Sequence, residues 1–535
     1  MVVNGQTAEK RKSLSLSALN SSGQFDISEL VNRVIERFGR HQVLIYLLLC
    51  TNSIIVAINH TLTTFHIYTP AAYQCADQAT ETGNIPENGT CTADCNDYTF
   101  YDNDTSVVTQ WSLVCDRRYL SALLNTIYFV GVTMGSLVCG VICDMVGRKK
   151  MILFCLYAQG AFGTSLYLAN SLEMFMVLRL IQGFFIQGLQ GCGYTLLMEM
   201  IPPKKRTFCG ITWECFWGIG MVMLGIIAYF IRDWRDLQLA LAVPTLLTLI
   251  YTWMFPESPK WFLAKNKKRQ AFDTVVAIAK KNNDQEFFKE YNSMQMETYE
   301  TNEKHDPESA PLKGFHEEEV HETASILDLF KNRILLKHSI CMITVFFSVT
   351  LSYYGILLYL PNLPGGRHLN FVLSALIEIT AYIIAYFALS SNYLGRRRSM
   401  IGYQYLNSIF CMSIGLLTLI EEDYAFKRYA IIFLALVGKG LAVSGFGGMF
   451  IYGSELFPTS TRATALGLCG LFARVGSLLA PQIILLGEKT HSIVPMTIMS
   501  VGLLFGGTFT FFVPETLNKP LPNKVSEVDA MWGKH

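Results

Sequence analysis

Apolar residues in this chain fall in long uninterrupted runs and not in the narrow stripes of a soluble helix bundle. A helix needs about twenty apolar residues to cross hydrocarbon. Twelve runs approach that length, with limits near 42–65, 119–142, 151–169, 172–195, 208–230 and 237–255, then 338–359, 371–390, 399–420, 429–452, 464–486 and 493–513. In lipid every backbone amide must be satisfied within the protein, so runs this long predict membrane-spanning helices. The expected class is an all-α integral membrane protein. Composition agrees, with 51% hydrophobic and 16% charged residues and a mean hydropathy of +0.31.

The polar turns between the runs repeat. Gly140-Val-Ile-Cys-Asp144-Met-Val-Gly147-Arg148-Lys149-Lys150 lies between two apolar runs, and Asn392-Tyr-Leu-Gly395-Arg396-Arg397-Arg398 does the same in the second half. Glu199 to Arg206 is answered by Glu455 to Arg462, and Pro256-Glu257-Ser258 by Pro514-Glu515-Thr516. An internal repeat of this kind predicts two pseudo-symmetric six-helix bundles. The divisions are a tail 1–41, a first bundle 42–255 with a large loop 66–118, a linker 256–337, a second bundle 338–513 and a tail 514–535. In the first tail, Ile27, Leu30, Val31, Val34 and Ile35 have helical spacing and read either as a short interfacial helix or as part of a loosely ordered cytosolic tail. The linker is rich in lysine and glutamate, with a Pro/Glu/His-rich patch near 304–322.

Orientation follows from basic residues in short loops. Arg148 to Lys150, Lys204 to Arg206 and Arg396 to Arg398 share one side, which is expected to be cytoplasmic together with both termini. The opposite side receives 66–118, which holds Cys75, Cys91, Cys95 and Cys115, eight acidic residues and the sequons at Asn88 and Asn103. Four clustered cysteines imply two disulfides in an oxidising compartment, with three pairings open. The other ten of the fourteen cysteines sit in or beside apolar runs. No phosphate-cradling Gly-x-x-x-x-Gly-Lys-Ser/Thr run is present, and no Cys/His set has metal spacing, so neither an enzyme nor a cofactor is expected. No nucleic-acid partner is expected either. The coupling ion, sodium or proton, stays open.

Two sets of charges are candidates for function. At the basic turns, Asp144, Arg148, Glu199, Arg206, Arg396, Glu455 and Arg462 have the types and positions for breakable gating pairs, with Gly140 placed to let helices approach closely. Inside the runs lie Arg179, Glu214, Glu378, Lys439 and Arg474. An ionisable group in hydrocarbon is costly and ordinarily faces the bundle interior, which makes each a site hypothesis.

The turn Gly140 to Lys149, Arg179-Leu-Ile-Gln-Gly183, Pro256-Glu-Ser-Pro-Lys-Trp261 and Pro514-Glu-Thr-Leu resemble the major facilitator superfamily. The large loop closing on Trp111-Ser-Leu-Val-Cys115-Asp116-Arg117, with Tyr229-Phe-Ile-Arg-Asp-Trp234-Arg, Pro361-Asn-Leu, Ser374 to Tyr382 and Glu455-Leu-Phe-Pro-Thr459, is similar to the organic ion transporters of solute carrier family 22. The resemblance covers most of residues 30–520. It implies a plasma-membrane carrier of small organic ions that works by alternating access. Phe472-Ala-Arg474-Val-Gly-Ser477 is similar to anion carriers and to the carnitine branch, while Glu378-Ile-Thr-Ala-Tyr382 lacks the lysine typical of anion carriers and is like the carnitine branch. Asn59 matches a polar position of that branch. Asn59, Glu214, Tyr353, Tyr354, Glu378, Lys439 and Arg474 are therefore the expected substrate contacts, for a small organic cation or a carnitine-like zwitterion, with the two tyrosines as cation-binding ring faces. An organic anion carrier of the same family is the first alternative. A non-transporting receptor or scaffold is the second, and it would have no need of charges within the membrane.

Overall fold

In the computed structural model, residues 27–76, 89–91, 95, 97–202, 205–246, 251–288, 332–360, 366–420, 424–458, 461–491, 493–519, 522, 527–528 and 531 are described. The first half contains α1 (Arg40–Thr61), α2 (Tyr119–Val146), α3 (Arg148–Ser165), α4 (Leu172–Met200), α5 (Arg206–Phe230) and α6 (Trp234–Leu246). The second contains α7 (Arg333–Tyr359), α8 (Arg367–Ser390), α9 (Gly395–Thr418), α10 (Ala425–Leu456), α11 (Arg462–Lys489) and α12 (Ile493–Thr510). Eleven of these are long and apolar enough to cross a membrane, and the sixth span continues as Tyr251–Met254. The helices outrun the apolar windows, α4 and α10 by about a turn toward the basic turns. Hydropathy marks where hydrocarbon ends, whereas the i to i−4 hydrogen-bond ladder continues into the polar layer. Large apolar side chains such as Val141, Phe154, Val177, Phe387 and Phe433 point outward, as a lipid-facing surface requires.

The repeat in the sequence is a repeat in packing. α1 packs on α5, α2 on α4 and α3 on α6, and correspondingly α7 packs on α11, α8 on α10 and α9 on α12. The halves meet along two symmetry-related seams, α5 with α8 and α2 with α11. Equivalent glycines make two of these approaches possible. A Cβ on Gly220 of α5 would lie 2.7 Å from the Ile54 carbonyl of α1, and one on Gly476 of α11 would lie 2.7 Å from the Phe347 carbonyl of α7. Gly140, expected to serve this purpose, has nothing within 4 Å of its Cβ position and does not mediate a close approach here.

The large loop is a small folded unit. β1 (Tyr73–Cys75) pairs antiparallel with β2 (Tyr98–Phe100), and the disulfides are Cys75–Cys95 and Cys91–Cys115. It docks mainly on the first half, through Trp111 against Trp234 and Phe175 and through Thr105 Oγ1 donating to Asp233 at 2.7 Å, and it reaches the second half through Asp104, which pairs with Arg367 and His368 of α8. Asn103 is exposed, while Asn88 and the 304–322 patch fall outside the described residues.

On the opposite face, helix Ile27–Arg37 packs against the linker helices Pro259–Ala264 and Lys268–Lys281. Its apolar residues Leu30, Val31, Val34 and Ile35 are buried there, and Arg37 pairs with Asp284 at 2.7 Å. Protein, not lipid, covers the face that suggested an interfacial helix.

Two outcomes are expected. Gly220→Val and Gly476→Val should each destabilise the bundle by about 1–3 kcal/mol, because the partner is backbone and cannot turn aside; thermal melting of the purified protein checks this. An impermeant thiol reagent applied to intact cells should leave Cys75, Cys91, Cys95 and Cys115 unlabelled until a reductant is added, as mass spectrometry of the loop peptides would show.

Candidate functional site

The cytoplasmic-type motifs close into one arrangement in each half. A helix N-terminus carries free amides and a positive end, and a carboxylate placed there is stabilised. Glu257 accepts from the amides of Arg148 (2.8 Å) and Lys149 (3.1 Å) at the start of α3, and Glu515 accepts from those of Arg396 (2.9 Å) and Arg397 (3.0 Å) at the start of α9. Such close seating needs a residue without Cβ where each helix begins. Gly147 (φ 114°) and Gly395 (φ 68°) supply it in a backbone region that side chains disfavour. Arg148 then forks onto Glu199 of α4 at 3.0–3.2 Å, and Arg396 onto Glu455 of α10 at 3.0–3.3 Å.

The halves differ at one position. Asp144, largely exposed, pairs with Arg148 at 2.8 Å, whereas Asn392 accepts a hydrogen bond from Asn518 at 3.0 Å. Arg206 and Arg462 do not join either set. Among the described residues, Arg206 Nε and Arg462 Nη2 are buried without a hydrogen-bond partner, and both nearby glutamates are held by Arg148 and Arg396. Beside the first set, burial and then the Arg206 charge lower the Lys260 ammonium below its usual value, against the opposing pull of Glu199.

The second group lies at the seam between the halves. Glu378 of α8 and Lys439 of α10 are both fully buried, with Oε2 and Nζ 3.2 Å apart. Neither of those two atoms has hydrogen-bond geometry with any described partner, so their attraction is electrostatic. Glu378 Oε1 accepts from the Tyr353 hydroxyl of α7 at 2.9 Å, and Lys439 lies 5.3 Å from the centre of the Tyr353 ring. That hydroxyl in turn accepts from Trp217 Nε1 of α5 at 3.1 Å, a bond that crosses from one half to the other. A second crossing bond runs the other way, from the Tyr382 hydroxyl of α8 to Glu214 of α5 at 3.3 Å. Tyr354 stands edge-on to Tyr353 (5.1 Å) and Phe129 (4.9 Å), and the charge of Arg474 acts on its hydroxyl.

Arg179 lies deeper in the first half, 1% exposed, and has no carboxylate partner among the described residues. Its Nη1 donates to Gln182 Oε1 at 2.8 Å and its guanidinium covers the Tyr128 ring at 4.2 Å. Gln182 Nε2 donates to Asn59 Oδ1 at 2.9 Å, and the Asn59 amide donates to the Ile55 carbonyl. Asn59 is thus engaged in holding the Arg179 network. Tyr128 meets His60 Nδ1 at 3.2 Å, and His60 packs on Trp217 at 5.5 Å between ring centres.

The structure therefore brings Tyr353, Glu378 and Lys439 into direct contact, bonds Glu214 to Tyr382 one helical turn along α8 from Glu378, and sets the charge of Arg474 near Tyr354. Asn59 reaches this group only through the Arg179, Tyr128, His60 and Trp217 chain. Sequence reasoning passed over Trp217, Tyr382, Gln182, His60, Glu257 and Glu515 as site residues. Gln182, Tyr382, Glu257 and Glu515 lie inside the motifs quoted for the family, and His60 adjoins Asn59, so a signal was present for these five. Nothing in the local pattern distinguishes Trp217 from a packing tryptophan.

Comparison with known proteins agrees with this architecture. The family model described as "Sugar (and other) transporter" matches residues 52–532. The "Organic cation transporter protein" of Drosophila melanogaster is 30% identical over 525 residues, covering 92% of each chain. "Solute carrier family 22 member 6" of Danio rerio is 31% identical over 441 residues, 82% of this chain and 75% of that protein. Among solved structures, the proton:xylose symporter XylE bound to 6-bromo-6-deoxy-D-glucose superposes with a TM-score of 0.62 at 15% identity, over 92% of this chain and 99% of its own, which speaks to the fold alone. These relatives are transporters, not enzymes. The chain is a twelve-helix protein of the major facilitator superfamily and belongs with the organic ion transporters of solute carrier family 22.

Proposed function

We propose that the protein carries small organic cations or carnitine-like zwitterions across the plasma membrane by alternating access, with its termini in the cytoplasm. The observation that carries this reading is the pair of acids at the seam. Glu214 and Glu378 come from opposite halves, each is bonded to a tyrosine hydroxyl, and Glu214 has no basic partner among the described residues. An ammonium ion between them would satisfy Glu214 and lie against the rings of Tyr353 and Tyr382, a setting in which cation–ring attraction is strengthened by desolvation. Arg474 at Tyr354 stands ready for a carboxylate. Binding that needs groups from both halves favours their closure around the ligand, and the seam bonds Trp217 to Tyr353 and Tyr382 to Glu214 would be remade in each cycle. The basic-turn sets would act as gates by changing the packing of α2, α3 and α4, and of α8, α9 and α10, within each half.

An anion reading has its own support. Arg179, Lys439 and Arg474 outnumber the acids of the seam, and Lys439 already neutralises Glu378. Uptake in cells expressing the protein separates the two. Labelled carnitine and tetraethylammonium should enter and para-aminohippurate should not; uptake of para-aminohippurate alone would move the assignment to anions, and the same assay without sodium reads the coupling. In addition, Arg474→Ala should weaken carnitine by about 100-fold, the cost of stranding a buried carboxylate, while sparing tetraethylammonium. Equal loss for both substrates would place Arg474 outside the carboxylate contact.

A further inference from the structure

A chamber of about 610 Å³ lies away from the seam charges, under the disulfide-bonded loop, and its wall is drawn from both halves and from the loop itself. Its polar lining includes Arg118 and Asn125 at the start of α2, Thr64 after α1, Arg367 of α8 and Glu488 of α11. Asn125 Oδ1 and Thr64 Oγ1 are buried there without a hydrogen-bond partner among the described residues, so the lining is not fully satisfied by the protein.

Two ion-pair sets span the halves at this rim, and they differ in character. Asp104 of the loop is held by Arg367, His368 (3.1 Å) and, more distantly, Arg232 (3.7 Å), and the Arg367 guanidinium is stacked 3.5 Å over Tyr68. That set is packed and largely buried, although Asp104 Oδ1, Arg367 Nε and Nη1 and His368 Nδ1 have no hydrogen-bond partner among the described residues. Arg118 and Glu488 make an isolated fork, at 2.7 and 2.8 Å, with side chains 32% and 27% exposed. A partly exposed pair contributes little net stability, since water and ligand charges compete for both ends. It is also an arrangement of one cation and one anion on facing walls of a cavity of small-molecule size.

We propose that this chamber is an outer capture site for a small zwitterion, whose carboxylate takes Arg118 and whose ammonium takes Glu488. The ligand substitutes its own charges for those of the pair, so its arrival unfastens the α2 to α11 link on this side. The hydrogen bond from Gln482 of α11 to Thr126 of α2 at 2.8 Å then remains as the next link between the same helices. The inference rests on the zwitterion reading above and adds a site upstream of it. A group of a single charge would pair with one end and leave the other to water, making one contact where the zwitterion makes two, which sets the discrimination.

Ser121 lies one turn from Asn125 on the chamber wall, where its hydroxyl donates to the Arg118 carbonyl at 2.7 Å, and cysteine is close to serine in size. With full-length Ser121→Cys protein on intact cells kept on ice, an impermeant methanethiosulfonate reagent should label the new thiol, and carnitine should slow that labelling severalfold. Tetraethylammonium and para-aminohippurate should slow it little. Glu378→Gln, which alters the seam, should leave the protection in place, and Arg118→Gln with Glu488→Gln should abolish it. Labelling unaffected by carnitine, protection by tetraethylammonium equal to that by carnitine, or protection lost in Glu378→Gln but retained in the double variant would each overturn the proposal. Ile484→Cys on the facing wall is the second reporter where Ser121→Cys does not reach the surface. Carnitine uptake is scored in the same cells: protection without uptake upholds the chamber and defeats the transport reading, and uptake without protection does the reverse.

Discussion

A charge buried in hydrocarbon must be answered by another group of the protein, and this requirement organises the middle of the molecule. Glu378 and Lys439 are fully buried on α8 and α10, so they must neutralise each other, and Tyr353 of α7 completes the set. Because the Tyr353 hydroxyl also accepts from Trp217 of α5, the second half's internal charge pair is tied to the first half by one hydrogen bond. The polar contacts across the seam are few and replaceable, and the glycines that pack there, Gly218 and Gly225 of α5, face the side chains of Ile379 and Val372 of α8, whereas Gly220 and Gly476 inside each half face backbone carbonyls. Polar bonds that can be broken and remade across the seam suit the alternating access proposed above.

The same economy recurs at the basic turns. A glutamate from after the sixth and twelfth spans caps the helix that starts each second hairpin, and an arginine in that helix's first turn clamps the long α4 or α10. These contacts stay within a half. They set the shape of each bundle's end and leave the two ends free to separate, with Phe208 of α5 against Tyr386 of α8 at 6.4 Å among the contacts across the seam on that side.

Much of this was legible beforehand, for physical reasons that differ by feature. Span number follows from bilayer thickness, and the two-half division from the repeated turns, so both could be read. Helix ends could not be read from hydropathy, because α4 and α10 remain helical after leaving the apolar zone. The charged residues of the seam were visible as anomalies in apolar runs, but their partners were not. Nothing in the sequence joins Glu378 to Lys439 across 60 residues, or assigns Glu199 to Arg148 when Arg206 is nearer in the chain. Gly140 and Gly147 look alike as letters, and only the backbone shows that Gly147 has the positive φ and the carboxylate against it. The disulfide pairing was likewise one of three until the folded loop joined Cys75 to Cys95 and Cys91 to Cys115.

The central claim is that the acids of the seam form the cation contact, and equilibrium binding tests it without the complications of a transport cycle. Labelled carnitine would be titrated onto purified wild-type protein and onto Glu214→Gln and Glu378→Gln variants shown to be folded by thermal melting. The account predicts that both variants bind carnitine more weakly, with Glu214→Gln losing most because that acid has no basic partner to release. An unchanged Kd in both would contradict it and would leave the seam charges as structural pairs.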